Sequence, residues 1–138
     1  MFREFLQIKP DLHVAGQVRN GTTKGIDENA LAAYNAPFPD DDHKQGVRQF
    51  PNLVPGTPRT PSAEPNKEAW KILREWKKPF LCAFSDKDPI FSGVENSFYK
   101  LIPGCKDMPH VTIEDAGHFL QEDQPEACVD AILSIKDI

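Results

Sequence analysis

Two short segments of this chain carry the residue types of acid–base chemistry. Ser85-Asp86-Lys87-Asp88-Pro89 offers two carboxylates, and Asp115-Ala116-Gly117-His118-Phe119 offers an imidazole. A carboxylate buried against a histidine fixes the ring's tautomer and stabilises the imidazolium, which leaves the second ring nitrogen to act as a general base. Gly117, directly before His118, lets the backbone turn tightly and bring the ring into a cleft. On residue type alone Asp86 and Asp88 are both candidates for the acid. Both also suit turn and cap positions, which Asp favours for its own reasons.

The other titratable residues point elsewhere. His110 stands at the start of an expected strand and reads as structural, while His13 and His43 read as surface residues. Asp40-Asp41-Asp42-His43 has a metal-like composition, but its place at a helix start makes it a solvated cap. Cys82, Cys105 and Cys128 form no CxxC pair, so neither a disulfide framework nor a zinc site is expected, and a reducing cytoplasm is the natural setting. Cys82 falls in a buried strand and is expected to be inert. Trp70 and Trp76 lie on one helix face and read as core residues. No metal or cofactor site is expected.

The elements that must position the acid and the base lie in the second half of the chain. Residues 62–76 are expected to form a helix, with Pro65 in its first turn and Lys77-Lys78 at the negative end of its dipole. Residues 80–84 form a short apolar run suited to a buried parallel strand. A helix over 93–102 is stopped by Pro103-Gly104, a second strand covers 111–113, and a helix covers 125–135. This alternation is the rhythm of an open parallel sheet. Both chemical segments then lie just past the carboxyl ends of strands, where sites gather in such sheets. Two strands are too few for the sheet to stand alone.

Residues 1–66 have a different texture, polar and proline-rich. Phe2, Phe5 and Leu6 mark a short amphipathic helix ended by Pro10. Asp27 caps a second helix that stops before Pro37, and Asp40–Asp42 open a third that Pro51 closes. Five prolines between positions 51 and 65 specify a loop or an extended connection. The whole chain holds 13 prolines in 138 residues, about twice the usual ~5%. Sixteen basic residues against 21 acidic ones give a net charge of −5, which argues against nucleic-acid binding and against adhesion to an anionic membrane. No run approaches the ~18 apolar residues of a membrane span, the first ten residues lack the apolar region of a signal peptide, and no internal repeat is visible.

Three strings resemble one family. Residues 33–40, AYNAPFPD, followed by 46–51, GVRQFP, resemble the cap domain of haloalkane dehalogenases. Residues 79–90, PFLCAFSDKDPI, resemble that family's seventh sheet strand with its acid loop. Residues 115–123, DAGHFLQED, resemble its catalytic-histidine loop. The resemblance implies an α/β class and a partial α/β-hydrolase fold. Residues 1–66 would be a helical cap with its proline-rich return connection, and 67–138 the C-terminal part of the core. It implies a hydrolase cleaving carbon–halogen bonds of a small haloalkane-like substrate, without a cofactor, by an Asp-His-Asp triad. His118 matches the family's base and Asp88 its acid, on motif position ahead of Asp86.

The nucleophile of that triad is missing, since no G-x-D-x-G or G-x-S-x-G string occurs in the 138 residues. Phe2 and Phe5 stand where some members place a halide-holding Trp. The chain is therefore expected to be inactive alone and to need a missing N-terminal half. An epoxide hydrolase or another α/β-hydrolase is the alternative enzyme, with Tyr34 as the one cap tyrosine. A non-catalytic truncated product, or half of a split protein, is the alternative outside enzymes.

Overall fold

A computed structural model describes residues 12–135. The expected helix at 1–10, with Phe2 and Phe5, lies outside the described residues. Two compact units are present, one of residues 12–17 and 27–70, the other of 18–26 and 71–135. The segment 18–26 belongs to the second unit although it sits within the first 66 residues. Its backbone is tied there by hydrogen bonds to Asp123 and Phe119.

The first unit is helical. Helix α1 (Val14–Asn20) begins there. His13 Nδ1 accepts from Gly16 N at 2.9 Å, and Asn35 Oδ1 accepts from Ala15 N at 3.2 Å, so two free donors of the first turn are satisfied. Sequence reasoning missed this helix because His is not among the preferred cap residues and Gly16 weakens the pattern. Helix α2 (Glu28–Asn35) has the expected cap, with Asp27 Oδ1 accepting from Ala30 N at 2.9 Å. A 3-10 turn (Asp42–Lys44) leads into α3 (Gln45–Leu53). Pro51 does not close α3 but lies inside its last turn, where its missing N–H forfeits only one intrahelical bond. Asp41 pairs with the buried Arg48 at 2.7 Å, and Asp40 pairs with His43. Helix α4 (Ala63–Leu73) begins in this unit.

The second unit carries the sheet. Strand β1 (Ala83–Ser85) pairs in parallel with β2 (Val111–Ile113), in the register Ala83 to Val111 and Ser85 to Ile113. The first strand starts three residues later than its apolar run. Phe80 N is taken by Gly104 O and Cys82 N by His110 Nδ1, so neither is free for a ladder. Helix α5 (Glu95–Leu101) and a 3-10 turn (Pro103–Cys105) connect the strands. Helix α6 (Leu120–Asp123) and helix α7 (Pro125–Ser134) follow β2. Ile113, Ala116 and Ala131 form the core of this unit, with Leu81, Ala83, Val111, Leu120 and Ala127 packed on it.

Trp76 departs from expectation. The helix ends at Leu73, so Trp76 lies in the turn beyond it, 37% exposed, with the Lys78 ammonium 5.7 Å from its ring. Cys82 is buried as expected, and burial, together with the neighbouring Cys105, pushes its thiol up to about 12. His110 is held at both ring nitrogens, accepting from Cys82 N and meeting Cys105 O at 3.0 Å. The Tyr99 ring lies 4.3 Å from it.

Candidate active site

The two chemical loops leave the same end of the strand pair, because parallel strands place their carboxyl termini side by side. The ladder continues into the loops, with Asp86 N donating to Ile113 O at 3.2 Å and Lys87 N to Ala116 O at 3.0 Å. Asp86 spends its carboxylate on this stitching, since Oδ1 accepts from Ala116 N at 3.2 Å. Asp115 takes a left-handed backbone (φ 55°) and pairs with Lys87. Asp tolerates that conformation better than most residues.

Past the stitch, Asp88 turns inward. Its Oδ1 accepts from Ile90 N at 2.7 Å, an Asx turn that fixes the side chain. Its Oδ2 meets His118 Nδ1 at 3.0 Å. Asp88 is buried, with 8% of its side chain exposed, while His118 keeps 27%. Burial pushes the Asp88 carboxyl up, but the His118 bond and the Ile90 and Phe91 amides outweigh it and hold it below its ordinary value. A carboxylate at Nδ1 makes that nitrogen the donor and leaves Nε2 as the basic atom. The His118 ring centroid lies 5.4 Å from that of Phe91 and 5.2 Å from that of Phe119, which meets it edge-on.

Gly117 is needed for a reason other than tight turning. It has no left-handed backbone angle, but a Cβ on it would stand 2.5 Å from Gly21 O. The histidine loop lies directly against the segment after α1. Phe119 N donates to Gly21 O at 3.1 Å, and Thr23 Oγ1 to Asp115 O at 2.8 Å. The Asp123 carboxylate accepts from Thr23 N, Lys24 N and Gly117 N. Asp123 is buried, with 4% exposed, and sequence reasoning missed it. Read locally, Gln121-Glu122-Asp123 is a polar stretch, and two of the three backbone partners of Asp123, Thr23 and Lys24, lie 100 and 99 residues upstream. Among the described residues no group of three or more His, Cys, Asp or Glu side chains could hold a metal ion.

A parallel strand pair with an acid on one loop and a hydrogen-bonded histidine on the next is the end of an α/β-hydrolase sheet, and the fold is a partial α/β-hydrolase fold. The chain is a homologue of haloalkane dehalogenases. It is 48% identical over 125 residues to the haloalkane dehalogenase of Psychrobacter cryohalolentis, covering 91% of this chain and 41% of that protein. It is 39% identical over 133 residues to that of Mycolicibacterium paratuberculosis, covering 96% of this chain and 44% of the relative. The tetrameric haloalkane dehalogenase DpaA from Paraglaciecola agarilytica NO2 superposes with a TM-score of 0.84 at 28% identity, over 99% of this chain and 46% of that one. The chain thus spans less than half the length of these relatives. No family model matches it.

Proposed function

We propose that this chain supplies the base and its orienting acid to a hydrolase that cleaves carbon–halogen bonds of small haloalkanes. The single observation that carries the reading is the Asp88 Oδ2 to His118 Nδ1 contact of 3.0 Å between a buried carboxylate and a half-buried ring. A nucleophilic carboxylate from outside these 138 residues attacks the halogen-bearing carbon. The carbon–halogen bond breaks, halide leaves with its electron pair, and an alkyl ester remains. His118 Nε2 then takes a proton from water, whose oxygen attacks the ester carbonyl and releases the alcohol. Asp88 keeps Nδ1 protonated and stabilises the imidazolium formed in that step.

In this reading residues 1–66 serve as the cap with its return connection, and 67–138 as the C-terminal part of the core. Two features support a core completed from elsewhere. Among the described residues strand β1 pairs with β2 alone, and an apolar groove is lined by Leu81, Ala83, Leu120, Ala131 and Ile132. Ile132 is 66% exposed, an apolar surface that a completed sheet would cover.

Halide release is the direct test. The purified chain should release none from short haloalkanes. The same chain fused behind the upstream half of the Psychrobacter cryohalolentis relative should release halide. In that fusion Asp88→Ala should lose more activity than Asp86→Ala, because Asp86 holds only backbone. Turnover by the chain alone that His118→Ala abolishes, or the reverse order of the two Asp variants, refutes the assignment.

A further inference from the structure

The Asp88–His118 pair accounts for one end of the histidine loop. The other end is held by a carboxylate to which the reaction gives no task. Asp123 Oδ2 accepts from Gly117 N at 2.8 Å and from Thr23 N at 2.9 Å, while Oδ1 accepts from Thr23 N at 3.0 Å and Lys24 N at 3.1 Å. Lys24 Nζ returns to Asp123 O at 2.9 Å. Charge-assisted bonds of this kind are about twice as strong as neutral ones. They converge on one buried side chain and join three backbone donors from two distant parts of the sequence.

Gly117 is covalently next to His118, so anything that fixes Gly117 N fixes the start of the residue carrying the base. The neighbouring bonds run to the same segment, Phe119 N to Gly21 O and Thr23 Oγ1 to Asp115 O. His118 is therefore bracketed on both sides by residues tied to 21–24. We propose that Asp123 is a positioning residue, whose carboxylate clamps the histidine loop to the backbone of Thr23 and Lys24 and so holds the His118 ring in reach of Asp88. The role given to His118 and Asp88 rests on the function proposed above, but the clamp does not require turnover and is testable without it.

The test uses the 138-residue chain, labelled with nitrogen-15. Two signals are followed by NMR, the exchange rate of the Gly117 amide and the hydrogen-bonded Nδ1 proton of His118. Asp123→Asn keeps the shape and removes the charge. It should speed Gly117 exchange at least about tenfold, which corresponds to ~1.4 kcal/mol. It should also broaden the His118 Nδ1 proton, while amides of the β1–β2 ladder keep their rates. Should that variant precipitate, Thr23→Ala removes the hydroxyl bond to Asp115 O and should raise Gly117 exchange about fivefold, given the ~1 kcal/mol of a neutral hydrogen bond. Unchanged Gly117 exchange and an unchanged Nδ1 proton overturn the clamp. Asp88→Ala, which removes the acceptor, separates the two ideas. If it leaves the Nδ1 proton in place, the acid–base reading fails, whatever Asp123→Asn does.

Discussion

Gly117→Ala is the sharpest single perturbation of the site. The added Cβ would stand 2.5 Å from Gly21 O, 3.3 Å from Gly21 C and 3.4 Å from Thr22 C. Ordinary contact begins at about 3.4 Å, so the two backbones must part by close to 1 Å. Neither has room to retreat. Gly21 O holds Phe119 N at 3.1 Å, and Asp123 grips Gly117 N on one side and Thr23 N and Lys24 N on the other. The clash sits inside a closed ring of hydrogen bonds, and relieving it opens at least one of them. Overpacking of this kind costs about 1–3 kcal/mol, and a broken bond to a buried carboxylate adds about 1.5–3, with partial overlap between the two. A total of about 2–4 kcal/mol lowers the melting temperature by about 8–16 °C in a domain of this size. In the active fusion, a displacement of about 1 Å at the base costs on the order of a hundredfold in kcat. Differential scanning calorimetry and steady-state halide release check the two numbers. Gly46→Ala is the control, because a Cβ there meets nothing within 4 Å and the residue sits in α3. It should be neutral or slightly stabilising. If Gly117→Ala melts within about 1 °C of the parent and turns over normally, the close-approach argument is wrong.

Two further outcomes follow from the same geometry. The Asp88 and Asp123 carboxyls lie below the ordinary value of 3.8, each because hydrogen bonds outweigh the opposing effect of burial. The unfolded chain therefore binds protons there more readily than the folded one. The stability they lend is complete above the ordinary value and is lost as pH falls from there through the lower folded values. The urea midpoint should stay level from pH 7 to about 5 and drop below about 4, more shallowly in Asp123→Asn, and an equal slope in both chains would contradict this. For the thiols, Cys82 at about 12 and 3% exposed should resist alkylation at pH 8 in the folded chain and react only on unfolding, with the half-buried Cys128 labelled first. Mass mapping of a timed iodoacetamide reaction shows the order, and early labelling of Cys82 would contradict its packing.

What the sequence made legible was local. Asp27 announces α2 because a cap, good helix formers and a proline stop all fall within eleven positions. The same local logic placed β2 at 111–113 and α7 from Pro125. It fell short where a distant group decides. The first strand lost its opening residues because His110 and Gly104 occupy their amides, and the first turn of α1 leans on an asparagine twenty residues on. Neither device leaves a mark in a window of a dozen residues.

Three carboxylates carry this distinction to the site. Asp86, Asp88 and Asp123 are chemically identical, and residue type alone gave no ground for separating the first two. Their environments give them different tasks. Asp86 is exposed and accepts from Ala116 N, which fastens one loop to the other. Asp88, two positions on, is turned inward by the Ile90 amide and meets the imidazole. Asp123 is more deeply buried than either and touches only backbone and the Thr23 hydroxyl. A buried carboxylate must be matched by donors or pay heavily in desolvation. Asp123 is matched by the Gly117, Thr23 and Lys24 amides and the Thr23 hydroxyl, which tie the residue before His118 to 23–24, so its burial makes sense as a constraint on the histidine loop. The acid that meets the ring can be read from a motif, whereas the acid that holds the loop becomes visible only when residues 23 and 123 are seen together.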